Sequence, residues 1–286
     1  MEIAVAGEIQ SEWRGEATRT GKTPRKWMLV GDAEDGLGFR VVRSEYQPGQ
    51  DAFETPRHHH AFQQIRWSEK GALNFAPDQD VNEGDIAYFP RGTFYGPQRR
   101  DNGIGLTLQF GFGLEMLGGK DASQVYREGI ERLKARGRIV DGEYIDTDPE
   151  TGLERRRDPA EAVTEEVTGK KFRIPDEGYA TPILMHPDAY EYYQAAPGVE
   201  LKHLGAFYDH PGPNADIRLS MIRLTGEAIY TLGDDRAQVA WATTGLRING
   251  TSYEDLTCVY SPRGEVSALA CAEAAEIYLI EFPRLD

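Results

Sequence analysis

Two histidines two positions apart carry the strongest chemical signal in the chain. His58 and His60 lie in the run Thr55-Pro-Arg-His-His-His-Ala-Phe-Gln-Gln-Ile-Arg66-Trp. Residues two apart on an extended strand project to the same side, so the two imidazoles point together and His59 points away. If the extension continues past a short bend, Gln64 and Arg66 join that face. Further on, Gly84-Asp-Ile-Ala-Tyr-Phe-Pro90-Arg-Gly92-Thr-Phe-Tyr95 places a turn where Tyr95 can face the same interior. Two imidazoles plus an oxygen donor, Gln64, form a plausible set for one divalent transition metal, with iron, manganese, nickel and zinc as candidates. Tyr95 is the candidate catalytic acid or base.

The residue types make this set unusual. An amide at Gln64 donates a neutral oxygen, so a bound divalent ion keeps its charge uncompensated. Tyr95 compensates only if the ion pulls its phenol well below the ordinary value of about 10. Arg66 suits bidentate contact with an anionic group such as a substrate carboxylate. It also adds positive charge, so occupancy by a metal depends on an anion being present. Gln98, after Gly96-Pro97, is the second candidate for substrate contact, at the mouth of a cavity. Each residue also has an ordinary reading: Gln64 as a buried amide satisfied by its neighbours, Tyr95 as an interior tyrosine, Arg66 paired with Glu69, Asp85 or another acid.

The elements that must position these side chains read as strands. Val41–Arg43, Gln64–Trp67, Leu73–Phe75, Asp85–Phe89 and Leu106–Phe110 are short β-rich runs, most of them bounded by Gly, Pro or Asp. The middle of the chain differs. Ala122–Arg136 puts Val125, Ile130 and Leu133 on one helical face, and Gly137 stops it. Arg138–Arg157 reads as an exposed polar hairpin turning at Asp141-Gly142. Asp158 caps a second helix with Pro159 at its first position, running to Lys171. From about Gly205 strands return: Ile217–Leu224, Ile229–Thr231, Gln238–Thr243, Leu246–Ile248, Thr257–Tyr260 and Ile277–Phe282.

The two segments around His58 and Tyr95 resemble the two motifs of the cupin superfamily, G-x5-H-x-H-x3,4-E-x6-G and G-x5-P-x-G-x2-H-x3-N. His58 and His60 fall on the histidines, and Gln64 replaces the glutamate with its gap to Gly71 kept. Gly84, Pro90 and Gly92 match the second motif, Tyr95 stands for its histidine, Arg99 for its asparagine, and Ala52 for the leading glycine of the first. The second half repeats the frame. Gln238 to Gly245 keeps the step from Gln64 to Gly71, and Ser261-Pro-Arg-Gly264-Glu-Val-Ser267 echoes Phe89 to Tyr95. In that register the histidine positions become Leu232 and Asp234, and Tyr95 becomes Ser267.

The resemblance implies a mainly all-β bicupin: two double-stranded β-sandwich or jelly-roll barrels with a partly helical insertion between them. Residues 1–115 form the barrel with the site, 116–200 the insertion, and 201–286 a degenerate barrel. It further implies a metal-dependent enzyme of dioxygenase, isomerase or lyase type, acting on a small, anionic or oxygen-rich organic molecule. The alternatives are a non-catalytic small-ligand-binding bicupin and a metal-free isomerase or cyclase using Tyr95 and His60. A homodimer is a further implication of the resemblance.

Composition narrows the partners. A net charge of -15 over 286 residues repels phosphate backbones, which argues against nucleic acid. No stretch approaches the roughly 18 apolar residues of a membrane span, and the acidic start of the chain lacks the pattern of a signal peptide. A cytoplasmic protein is expected. The turn at Pro262-Arg263-Gly264 predicts a hairpin pairing Cys258 with a residue near Leu269, which keeps Cys258 and Cys271 from forming a disulfide.

Overall fold

The computed structural model describes all residues except 15–18, 33–35, 50, 113–121, 209, 211 and 285–286. Two seven-stranded antiparallel sheets dominate it. The first runs Ile183–Met185, Ile86–Phe89, Gln63–Lys70, Gly103–Phe112, Leu37–Tyr46, Thr23–Asp32 and Glu12–Arg14. The second runs Glu2–Val5, Thr257–Ser261, Gln238–Ala242, Ala274–Glu281, Asp216–Thr225, Val199–Tyr208 and Tyr193–Ala196. Each closes into a barrel against smaller ribbons: Phe53–Thr55 with Gln98–Arg100 and Leu73–Ala76 with Gln79–Val81 in the first, and a four-stranded sheet in the second.

Alternation along the strands explains the layering. In Gln63–Lys70, Ile65 and Trp67 enter an apolar core shared with Leu219, Val239, Trp241 and Ile280 of the second sheet. Gln64, Arg66 and Ser68, on the opposite face, line the first barrel. The same split occurs in Leu37–Tyr46, where Phe39 and Val41 join the shared core and Arg40 faces the other way. The two barrels therefore stand back to back, and the polar side of each sheet looks into its own barrel.

Segments cross between the halves. Glu2–Val5 pairs with Thr257–Ser261 in the second sheet, and Ile183–Met185 pairs with Ile86–Phe89 in the first. The chain thus crosses the boundaries expected at 115 and 200. Strand structure also resumes before Gly205, at Tyr193–Ala196 and Val199–Tyr208.

The insertion holds helices Ala122–Lys134 and Pro159–Thr168 and a three-stranded ribbon, Arg138–Val140, Glu143–Thr147 and Glu154–Arg157. Asp158 caps the second helix by accepting from Ala160 N at 2.7 Å, and Gly169 ends it in the left-handed region, short of Lys171. Ile130 and Leu133 pack against Ala162 and Val163, while Val125 is exposed and Tyr126 packs in its stead. The hairpin expected at Pro262-Arg263-Gly264 does not form. Thr257–Ser261 stays in the large sheet, whereas Ser267–Ala270 pairs with Ile229–Leu232 on the other wall of the barrel. Cys258 and Cys271 are both free and buried.

Candidate functional site

The internal duplication is visible in the hydrogen bonds. His58 and Tyr95 exchange backbone bonds at 2.9 and 3.0 Å, and Gly92 N donates to His60 O at 2.7 Å. In the second half Leu232 pairs with Ser267, and Gly264 N donates to Asp234 O at 2.9 Å. The register inferred from sequence is thus the register of the fold. The second barrel has lost the chemistry: Leu232, Ala240, Ala242, Leu246, Ile248 and Leu269 fill it with apolar side chains.

In the first barrel the imidazoles of His58 and His60 lie together, with ring centroids 5.0 Å apart, and Tyr95 is 4.5 Å from His58. His59 points away, stacked on Phe94 at 3.9 Å. Nδ1 of His58 lies 2.7 Å from Pro56 O. A carbonyl only accepts, so the proton sits on Nδ1 and the lone pair on Nε2. His60 stacks on Phe62 at 4.4 Å, and its ring makes no hydrogen bond among the described residues.

Beside the histidines runs a continuous polar network. Gln64 Nε2 donates to the Tyr95 hydroxyl at 2.7 Å, and Arg66 Nη2 donates to the same oxygen at 3.0 Å. Gln64 Oε1 accepts from Arg66 at 3.1 Å and from Gln109 Nε2 at 2.9 Å. Arg40 Nε donates to Gln109 Oε1 at 2.5 Å. Behind, Gln98 Oε1 accepts from Arg66 at 3.2 Å and from Arg100 at 2.7 Å, while its Nε2 donates to Thr55 at 3.2 Å. Gln98 is therefore a buried strut rather than a residue of the cavity mouth. The residues without a motif signature are Arg40, Gln109, Arg100 and Tyr46, whose hydroxyl accepts from Arg100 at 3.0 Å. Only strand alternation, which places Arg40 and Gln109 opposite core residues, could have found them.

The acids expected to pair with Arg66 are committed elsewhere. Glu69 binds Arg43 at 2.6 Å, and Asp85 accepts from His186 at 2.9 Å. No carboxylate among the described residues bonds Arg40, Arg66 or Arg100. Arg66 lies fully inside, its guanidinium 4.1 Å from the Phe89 ring centre. Burial pulls Arg66 and Arg40 down to about 10, which leaves both charged at neutral pH. Burial, aided by Arg19, pulls His58 down to about 3, and burial with His58 beside it holds His60 well below its ordinary value. Both histidines are thus neutral where the arginines are charged.

This donor set does not fit a bare divalent ion. Among the described residues no three His, Cys, Asp or Glu side chains cluster in a metal-holding arrangement. Gln64 Oε1 and the Tyr95 oxygen each already accept two hydrogen bonds, and a guanidinium stands where a cation would need negative charge.

The insertion packs over the loop that carries Tyr95. Thr93 Oγ1 donates to Tyr179 O at 2.7 Å, Arg19 meets Asp158 at 3.2 Å, and His59 lies 3.7 Å from Glu161. Gly92 has φ +76°, and a Cβ there would sit 2.5 Å from Pro175 O, so only glycine lets the two segments meet.

Searches with the sequence find no matching family model and no matching curated protein. Solved structures do match over almost the whole chain. An E162A mutant of Bacillus subtilis oxalate decarboxylase superposes with a TM-score of 0.54 at 11% identity, covering 99% of this chain and 77% of the other. A putative dioxygenase from Nostoc punctiforme gives 0.56 at 10%, covering 99% and 83%. A further structure of the Bacillus enzyme, at 0.53 and 10%, concerns its Mn(II) centres. This chain has the bicupin fold. At such identity the likeness carries the architecture and no activity. Its helices include none long and apolar enough to cross a membrane among the described residues.

Proposed function

We propose that this bicupin acts on a small organic anion bound in its N-terminal barrel. The observation that carries the reading is the buried guanidinium of Arg66, which has no acid partner among the described residues. A buried unpaired charge costs several kcal/mol, so an enclosed cation of this kind calls for a mobile counter-ion. Arg66 keeps Nε–H and one Nη1–H without a protein acceptor, each able to donate singly to an oxygen of an anion.

Two groups stand ready to move protons on that anion. His60 is neutral and unbonded, and so serves as base at neutral pH. The Tyr95 oxygen accepts from Gln64 and Arg66, which leaves its own proton free to be donated to the ligand. Isomerisation, or elimination next to a carboxylate, is the reaction class these residues support without further help.

The metal-dependent version of this reading places iron, manganese, nickel or zinc on His58 and His60. The likeness in fold to a manganese-containing decarboxylase supports it only at the level of architecture. The charge of the site adds a condition: the ligand's own oxygens must neutralise the ion, so ion and anion would bind together or not at all.

The test is exchange of carbon-bound protons in deuterated water for a panel of small carboxylic acids, with wild type, Tyr95→Phe and His60→Asn. The reading expects exchange or turnover of at least one acid that both substitutions abolish without abolishing its binding. Binding across the panel with no exchange or turnover, with and without added divalent ions, would leave a ligand-binding bicupin in its place.

A further inference from the structure

We infer that the anion taken by this barrel carries two negatively charged groups separated by a short spacer, one held by Arg66 and the other by Arg40. The inference rests on the function proposed above and adds the class of ligand.

Arg40 lies on the strand beside Gln109, which in turn lies beside Gln64. Its Nε is anchored to Gln109, but its two η nitrogens have no acceptor among the described residues. The rings of Phe62 and Trp27 flank the guanidinium at 5.6 and 5.9 Å. Phe62 also stacks on His60, so one ring links Arg40 and the proposed base. Arg100, by contrast, has an acceptor on each of its three nitrogens: Asn74 O, the Tyr46 hydroxyl and Gln98 Oε1. Two guanidiniums, each with a nitrogen that has no protein acceptor among the described residues, therefore stand on one face of the sheet, at opposite ends of the row Arg40–Gln109–Gln64–Arg66.

Charge and distance both select the ligand. A monoanion would engage one guanidinium and leave the other, buried Arg66 or partly buried Arg40, without a counter-charge. Two interstrand spacings of about 4.8 Å and a two-residue offset of about 6.6 Å along the strand put the backbones of Arg40 and Arg66 roughly 12 Å apart, and a spacer of roughly three to five atoms is the length we assign to the ligand that bridges their side chains. Acids borne on neighbouring carbons reach only one end. Each anionic group is a carboxylate or a phosphate, since both match the guanidinium fork.

The experiment is calorimetric titration of the full-length protein, at fixed ionic strength, with malonate, glutarate, adipate, valerate and 4-phosphonobutyrate. At least one long dianion is expected to bind about tenfold or more tighter than valerate. Arg40→Gln should remove that advantage and leave valerate binding unchanged. If 4-phosphonobutyrate outbinds glutarate, the second group is a phosphate-type anion; the reverse order assigns a carboxylate. Equal affinity of wild type for glutarate, adipate, 4-phosphonobutyrate and valerate, with valerate still dependent on Arg66, overturns this inference and leaves the proposed function standing. No binding of any acid overturns both. Should Arg40→Gln fail to fold, the dianion-to-valerate ratio of the wild type decides alone.

Discussion

Arg66 donates a hydrogen bond to the hydroxyl of Tyr95 at 3.0 Å, inside a barrel and with no carboxylate among the described residues to balance it. Tyr95 occupies the position that resembles the last histidine of the cupin motifs. The arginine is thus directed at the place where a metal-binding relative would gather ligands. On the proposed reading, that contact sets the interior against a bare cation and in favour of an anion.

The first consequence concerns stability without ligand. Every acceptor of Arg66 has a second donor: Tyr95 keeps Gln64, Gln64 Oε1 keeps Gln109, and Gln98 Oε1 keeps Arg100. Arg66→Met therefore removes a buried charge and orphans none of these acceptors. We expect the ligand-free variant to be more stable than wild type by about 1–3 kcal/mol in urea denaturation. A loss of stability would show that the guanidinium holds the barrel together rather than awaiting a ligand.

Acid should unfold the protein through its histidines. His58, pulled down to about 3, and His60, also lowered, are neutral in the fold and take up protons once unfolded. Their contribution is complete above an unfolded-state pKa near 6.5. As pH falls below that value it is lost, by up to about 1.4 kcal/mol per pH unit for each histidine. In chelator-treated protein, the double variant His58→Asn/His60→Asn should lose less stability between neutral pH and about pH 4. Parallel curves for the two proteins would refute this.

Restoring the missing acid and removing the competing cation should turn the site back toward metal. The variant Gln64→Glu/Arg66→Met presents two imidazoles and a carboxylate. It should bind manganese or zinc without added organic anion, with an affinity at least about a hundredfold above wild type. Equal affinity in the two proteins would mean that Arg66 does not govern the charge of the site.

The two corresponding glycines should respond differently to alanine. Gly92 has φ +76° and no room for a Cβ beside Pro175 O, while Gly264 has φ +87° with nothing within 4 Å. Gly264→Ala pays only backbone strain of about 1 kcal/mol, and Gly92→Ala should lose about 2–4 kcal/mol because the insertion must also shift. Chemical denaturation of both variants checks this; equal losses would mean that the insertion does not press on the Tyr95 loop.

Much of this was legible in the sequence, for local reasons. The spacing of His58, His60, Gln64 and Tyr95 fixes which side chains share a face, and the echo at Leu232, Asp234 and Ser267 gives the register of the second barrel. The exchange of Glu2–Val5 into the far sheet was not legible, because partner choice for an edge strand is set by the tertiary fold and not by its own four residues. The Cys258 hairpin failed for the same reason: a turn signal at Pro262 states that the chain bends, not which wall it joins. Arg40 escaped notice because a lone arginine among apolar residues looks like ordinary strand alternation until its neighbours across the sheet are known.

The most direct test of the account is calorimetric titration of wild type and Arg66→Met with small organic acids and, separately, with divalent ions alone. The account predicts that wild type binds an organic anion, that affinity falls as salt rises, and that Arg66→Met loses the binding while remaining folded. Tight binding of a divalent ion by wild type with no organic anion present, or anion binding untouched in Arg66→Met, would contradict it.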